Sequence, residues 1–203
     1  AEQWNAYTKA LVDFMKGTTD TGLHQMAWDL INTSLKDPKS AGKIGWQSIQ
    51  SIMSAMTGEF KKLYSDPSYK LDLDAIKGTV VDAALAIAGS DAFKSLTDAN
   101  KIAFTQAFTG LGVELTWRKP PADKAEAYKA LYTKIGDYYK SLMGSGNSSA
   151  VTAYSFQALM GLWRKGNWGS PEGNKEGVAA VLKQAAQDSS LARMRVVYEG
   201  VKP

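Results

Sequence analysis

The chain has 203 residues, of which 44% are hydrophobic and 22% charged, with 24 Lys plus Arg against 20 Asp plus Glu and no cysteine. This composition suits one globular domain, residues 1–203, with a sizeable core, and argues against extensive disorder. The missing thiols exclude disulfides, zinc–thiolate sites, iron–sulfur clusters and cysteine nucleophiles. The net charge of +4, with never more than two adjacent cations, gives no footprint for sequence-specific nucleic-acid binding.

Residues 1–75 carry 8 basic and 9 acidic groups, so the surplus of cations lies in the later part of the chain. The longest apolar run, Ala83–Ala88, is far short of the roughly 20 residues of a membrane span. The chain opens Ala1-Glu2-Gln3-Trp4. Together with the lack of cysteine, this start is read as a processed terminus of an exported protein, periplasmic, extracellular or in an organelle lumen.

The periodicity is helical almost throughout. Trp4, Tyr7, Leu11 and Phe14 are expected to form the buried stripe of a first helix ending at Gly17. Thr19 or Asp20 can cap a second helix with Leu23, Met26, Ala27, Leu30 and Ile31 inside, and Asp37-Pro38 breaks it. In the third helix, Trp46, Ile49, Ile52, Met53, Met56, Phe60, Leu63 and Tyr64 fall within an arc of roughly 120°. Lys43, Gln47, Gln50, Ser54, Glu59, Lys61 and Lys62 fall outside it and are expected on a solvated back.

Asp66-Pro67 breaks the chain again, and Asp72 or Asp74 caps a helix carrying Ile76, Val80, Val81, Ala84, Leu85 and Ala88. After a short turn with Phe93 and Leu96, Thr97 or Asp98 opens a long helix. Phe104, Phe108, Leu111 and Leu115 form one of its faces, while Ile102, Val113 and Trp117 lie opposite. A helix apolar on two sides is expected at the centre of a bundle, and Pro120-Pro121 stops it.

Residues 122–143 read as a helix with Tyr128, Leu131, Tyr132, Ile135, Tyr139 and Leu142 on one side. Residues 144–149 are a flexible connector, and residues 150–165 a well-buried helix. Residues 166–176 form an exposed loop, and a last helix bears Val178, Val181, Leu182 and Ala185. Residues 191–203 fit helix or strand. The whole reads as all-α, a compact multi-helix bundle of about eight or nine helices.

Little in the sequence carries reaction chemistry. The lone His24 has no carboxylate near it in sequence and reads as a surface or half-buried residue. Ser40-Ala41-Gly42-Lys43 matches the Ser-x-x-Lys of serine acylases but lacks its companion motifs. Asp72-Leu73-Asp74 is explained by capping. No metal or cofactor is expected. Two glycosylation sequons occur, at Asn32 and Asn147.

The tripeptide Trp-Arg-Lys occurs twice, at Trp117-Arg118-Lys119 and Trp163-Arg164-Lys165. Cations at a helix C-terminus offset its dipole, which accounts for much of the pattern. Trp168, in a loop no helical stripe explains, is the exception. With Trp117, Arg118, Lys119, Trp163, Arg164 and Lys165 it forms a candidate surface of rings and cations for a partner. The expected function is a non-catalytic binding or accessory protein that recognises a protein partner or joins an assembly. The alternative is a carrier of a hydrophobic small molecule, a lipid or pigment, between the helix of Phe104–Trp117 and that of Tyr154–Trp163. An enzyme of unfamiliar type comes third.

Overall fold

A computed structural model describes residues 2–117, 122–143 and 146–165, apart from the side chains of residues 117 and 163–165. All its regular elements are helical, as the periodicity predicts. Eight α-helices are described: α1 (Glu2–Lys16), α2 (Thr21–Lys36), α3 (Trp46–Ser65), α4 (Asp74–Ala88), α5 (Asp91–Lys94), α6 (Asp98–Trp117), α7 (Ala125–Met143) and α8 (Ser149–Lys165). The expected helix carrying Val178 to Ala185, the loop 166–176 and the tail 191–203 lie outside the described residues. The chain divides into two compact units, Ala1–Ile87 and Ala88–Pro203.

In the first unit, α1 and α2 form an antiparallel hairpin over α3. Asp20 caps α2, its Oδ1 accepting from the N–H groups of Gly22 at 2.9 Å and Leu23 at 3.4 Å, and so satisfies donors the helix itself leaves open. Asn5 ties α1 to the start of α3, its Oδ1 accepting from Gly45 N–H at 2.7 Å and Ser48 Oγ at 2.9 Å. The core holds Val12, Met15, Ala27, Trp28, Ile31, Ile49, Ile52, Met53 and Met56. For α3 the predicted stripe is the buried one.

For α1 and α2 it is not. The buried residues of α1 are Thr8, Val12 and Met15, and those of α2 are His24, Ala27, Trp28, Ile31, Ser34 and Leu35. Tyr7, Phe14, Leu23, Met26 and Leu30, all expected inside, are exposed. Each helix carries two apolar stripes, and the unit buries the one that includes Thr8 or His24.

In the second unit, α6 packs against α7 and α8 through one of its two apolar faces, and the face expected opposite is less covered than the two-sided pattern predicts. Phe104, Phe108, Leu111 and Leu115 are buried, and Ile102 and Val113 are half-buried. Phe108 stacks on Tyr138 of α7 with ring centroids 3.8 Å apart and planes 16° from parallel. The hydroxyls of Tyr138 and Tyr139 meet Thr105 at 3.0 Å and Thr109 at 2.6 Å, which lets two phenols be buried without loss of hydrogen bonding. Burial raises the pKa of both phenols. Within the expected connector, Gly146 takes a φ of 97°, a conformation open to glycine. Ser148 then caps α8 by accepting from Val151 N–H at 3.2 Å.

Candidate functional site

A polar cluster sits in the interior of the first unit. Glu59, expected on the solvated back of α3, is buried. On the helical wheel it stands only about 20° beyond Ile52 at the edge of the apolar arc, and three donors draw it inward. Its Oε2 accepts from His24 Nδ1 at 2.9 Å and from Trp28 Nε1 at 2.9 Å, and its Oε1 from Tyr69 Oη at 2.9 Å. His24, expected at the surface or half-buried, is buried too. Its Nε2 lies 2.7 Å from the carbonyl oxygen of Thr18.

Both imidazole nitrogens thus face acceptors, so the doubly protonated ring fits the site. Burial alone would lower the His24 pKa. The hydrogen bonds to the Thr18 carbonyl and the Glu59 carboxylate, with the carboxylate's charge, outweigh burial and the repulsion from Lys62 and raise it above 6.5. Burial, followed by the bond to Glu59 and its charge, also raises the Tyr69 pKa.

This arrangement is a clamp. It ties the α1–α2 turn, through Thr18, to α3, through Glu59. A general base needs a nitrogen within reach of substrate, and His24 has none to spare. Beside the cluster lies an open groove of about 590 Å³ lined by Thr21, Gly22, Gln25, Leu63, Tyr69, Lys70, Leu71 and Asp72. The one phenol on its wall, Tyr69, already donates to Glu59. Among the described residues no group of three His, Asp or Glu side chains could hold a metal ion. The Ser-x-x-Lys match is structural as well: buried Ser40 donates from Oγ to the Ser34 carbonyl at 2.6 Å.

The surface of the same unit carries a second feature. The exposed large hydrophobic residues found in the described part of the chain are Tyr7 (38%), Phe14 (43%), Leu23 (36%), Met26 (48%) and Leu30 (38%). All five lie on α1 and α2. At about 100° per residue, the outer surface of each helix splits into two edges. On α1, exposed Gln3, Ala6, Tyr7, Ala10 and Phe14 share one edge, while Glu2, Lys9, Asp13 and Lys16 share the other. On α2, Leu23, Met26, Leu30 and Thr33 share one edge, while Gln25, Asp29 and Lys36 share the other.

The hairpin brings the two uncharged edges together. A cleft of about 460 Å³ is lined by Gln3, Trp4, Tyr7, Leu30, Thr33, Ser34 and Asp37. It joins the start of α1 to the end of α2, as an antiparallel register requires. The result is an apolar strip over the α1–α2 seam with charge along both outer sides. Interface cores are depleted of charge and rimmed by polar groups in this way.

The residues of the sequence-derived surface belong to the second unit. Trp117 ends α6, and Trp163, Arg164 and Lys165 end α8; their side chains, with Arg118, Lys119 and Trp168, lie outside the described residues. Along α6 and α8, Leu162 sits so near Gly112 that a methyl group there would stand 3.3 Å from it. Asn147 is held in the second unit by Lys101, whose Nζ donates to its Oδ1 at 3.0 Å.

No protein-family model matches the chain, and neither a curated protein nor a solved structure does. Function therefore has to be argued from the geometry.

Proposed function

We propose that the protein is a non-catalytic helical binding or accessory protein, and that the uncharged strip of α1 and α2 is where it receives a protein partner. One observation carries the reading: the five exposed large hydrophobic residues fall on one two-helix face rather than being scattered. Exposed apolar residues occurring singly need no explanation, whereas a contiguous patch marks an interaction site. At about 40% exposure of side chains of about 200 Å² each, the five contribute on the order of 400 Å². The commitment of both His24 nitrogens and of the Tyr69 hydroxyl favours binding over catalysis in this unit.

The test is site-specific photocrosslinking in the source cells. A benzophenone side chain at Leu30 should form adducts with another polypeptide, and one at Asp29 should form few. Adding Phe14→Glu should suppress the Leu30 adducts. Equal yields at Leu30 and Asp29, or adducts indifferent to Phe14→Glu, would refute the reading.

A further inference from the structure

The strip's width and the register of its rim charges define what fits it. Helices of 15 and 16 residues at about 1.5 Å rise per residue and about 10 Å diameter give a face about 24 Å by about 20 Å. One partner helix seated in the seam would touch both rows but leave the charged rims unmatched. Covering both rows and meeting both rims takes a two-helix face of similar length, and the chain itself has one.

We infer that the occupant is a second copy of this chain, related by a two-fold axis that runs parallel to the helices over the α1–α2 seam; this rests on the binding role proposed for the strip. The axis stacks α1 of one copy antiparallel on α2 of the other. The hairpin register, set by Trp4 and Tyr7 sharing a cleft with Leu30 and Thr33, then fixes every pairing. Tyr7 meets Leu30 of the other copy, Ala10 meets Met26, and Phe14 meets Leu23, so each aromatic ring faces an aliphatic side chain.

The rims match at the same levels. Glu2 comes opposite Lys36 of the other copy and Lys9, which also pairs with Asp13 along its own helix at 2.6 Å, opposite Asp29, while Lys16 lies level with the capping Asp20 and Asp13 with the neutral Gln25. No level sets like charges face to face, and two levels set opposite signs together, twice per dimer. Such self-complementarity is what an isologous interface requires. Residues 1–75, which carry the strip, are themselves nearly neutral, with 8 basic against 9 acidic groups. With the small flanking residues Ala6 and Ala10 adding on the order of 100 Å² to the roughly 400 Å² of the five large ones, the two-row contact buries on the order of 1,000 Å² over both partners, the low end of specific interfaces and the range of a reversible dimer.

The experiment is sedimentation velocity of the purified chain over a wide concentration range, with circular dichroism to check folding. The expected mass is twice that of the chain, with loss of the dimer in Met26→Glu. The decisive set is the charge exchange. Lys9→Glu alone and Asp29→Lys alone should each weaken the dimer, because each sets two like charges face to face. The double variant Lys9→Glu/Asp29→Lys should restore it, because the two signs are then swapped across the interface and attract again. A chain that stays monomeric throughout, or a dimer whose double variant is no tighter than the single ones, overturns the inference. If the purified chain is monomeric while the Leu30 probe captures a different protein, the strip binds a partner but not itself. If both experiments fail, the binding role falls too.

Discussion

Replacing Glu59 by Gln probes the buried clamp with almost no change of shape. The carboxylate accepts three hydrogen bonds on two oxygens, all at 2.9 Å, and an amide offers one acceptor oxygen and one NH₂ group. If the amide oxygen stays with His24 and Trp28, the NH₂ faces Tyr69, whose hydroxyl must turn to accept. The imidazolium then loses its counter-charge while remaining buried. A hydrogen bond to a charged group is worth about 1.5–3 kcal/mol, and breaking a buried pair costs about 3–5 kcal/mol. Near pH 6 the expected loss is therefore about 3 kcal/mol.

The loss should shrink at high pH. With the amide flipped, neutral His24 can keep its Nε2–H on the Thr18 carbonyl and accept from the NH₂ at Nδ1, and Tyr69 can donate to the amide oxygen, so that only the Trp28 N–H loses its acceptor. The sign for the native chain follows from the raised pKa: the folded protein holds a proton the unfolded chain releases. The clamp's contribution is complete below about 6.5 and is lost as pH rises through the folded-state value. His24 is the single histidine of the chain, so its ring resonance can be followed by NMR without ambiguity. Its midpoint should lie above 6.5 in the native protein and fall in Glu59→Gln, while urea unfolding measures the stability loss at each pH. A loss below about 1 kcal/mol near pH 6, the same loss near pH 9, or an unmoved midpoint would refute this account of the clamp.

Three further changes test the rest of the structure. Asp20→Ala removes the cap of α2 and should cost about 1 kcal/mol in urea unfolding, with Asp20→Asn keeping most of the stability. Gly112→Val forces branched methyls toward Leu162 and Ile135 and should cost about 1–3 kcal/mol through overpacking, read as a lowered Tm. Met26→Lys alters a half-exposed position and should leave monomer stability within about 0.5 kcal/mol, measured at protein concentrations too low for association.

How far the fold was legible depends on how many stripes each helix carries. In α3 one apolar arc faces a polar back; Glu59 departs most from the expectation, because three donors from α2 and the segment before α4 satisfy it, while Gln50 of that back and Trp46, Leu63 and Tyr64 at the ends of the stripe are half-buried. In α1 and α2 two stripes compete. Trp4, Tyr7, Leu11 and Phe14 look like a core seam from spacing alone, as do Leu23, Met26 and Leu30. What decides between stripes is tertiary: buried His24 needs Glu59, and Glu59 is distant in sequence. One signal was present, since Trp28 and Leu35 stand seven residues apart and mark the second stripe of α2. The doubled stripes, read as a surplus of apolar positions over what one core can absorb, also pointed to a surface. The Trp-Arg-Lys pairs stand out by their repetition at helix ends, and their side chains lie outside the described residues.

The bond from His24 to the Thr18 carbonyl has a consequence for association. Thr18 lies in the four-residue link between α1 and α2, and Glu59 anchors that link to the middle of the unit. The splay of the hairpin is therefore fixed within the unit itself, and the association proposed above would have only side-chain rotamers left to freeze. Ordering costs subtract directly from affinity, so a preset template of this kind should bind more tightly than the same two helices on a loose turn.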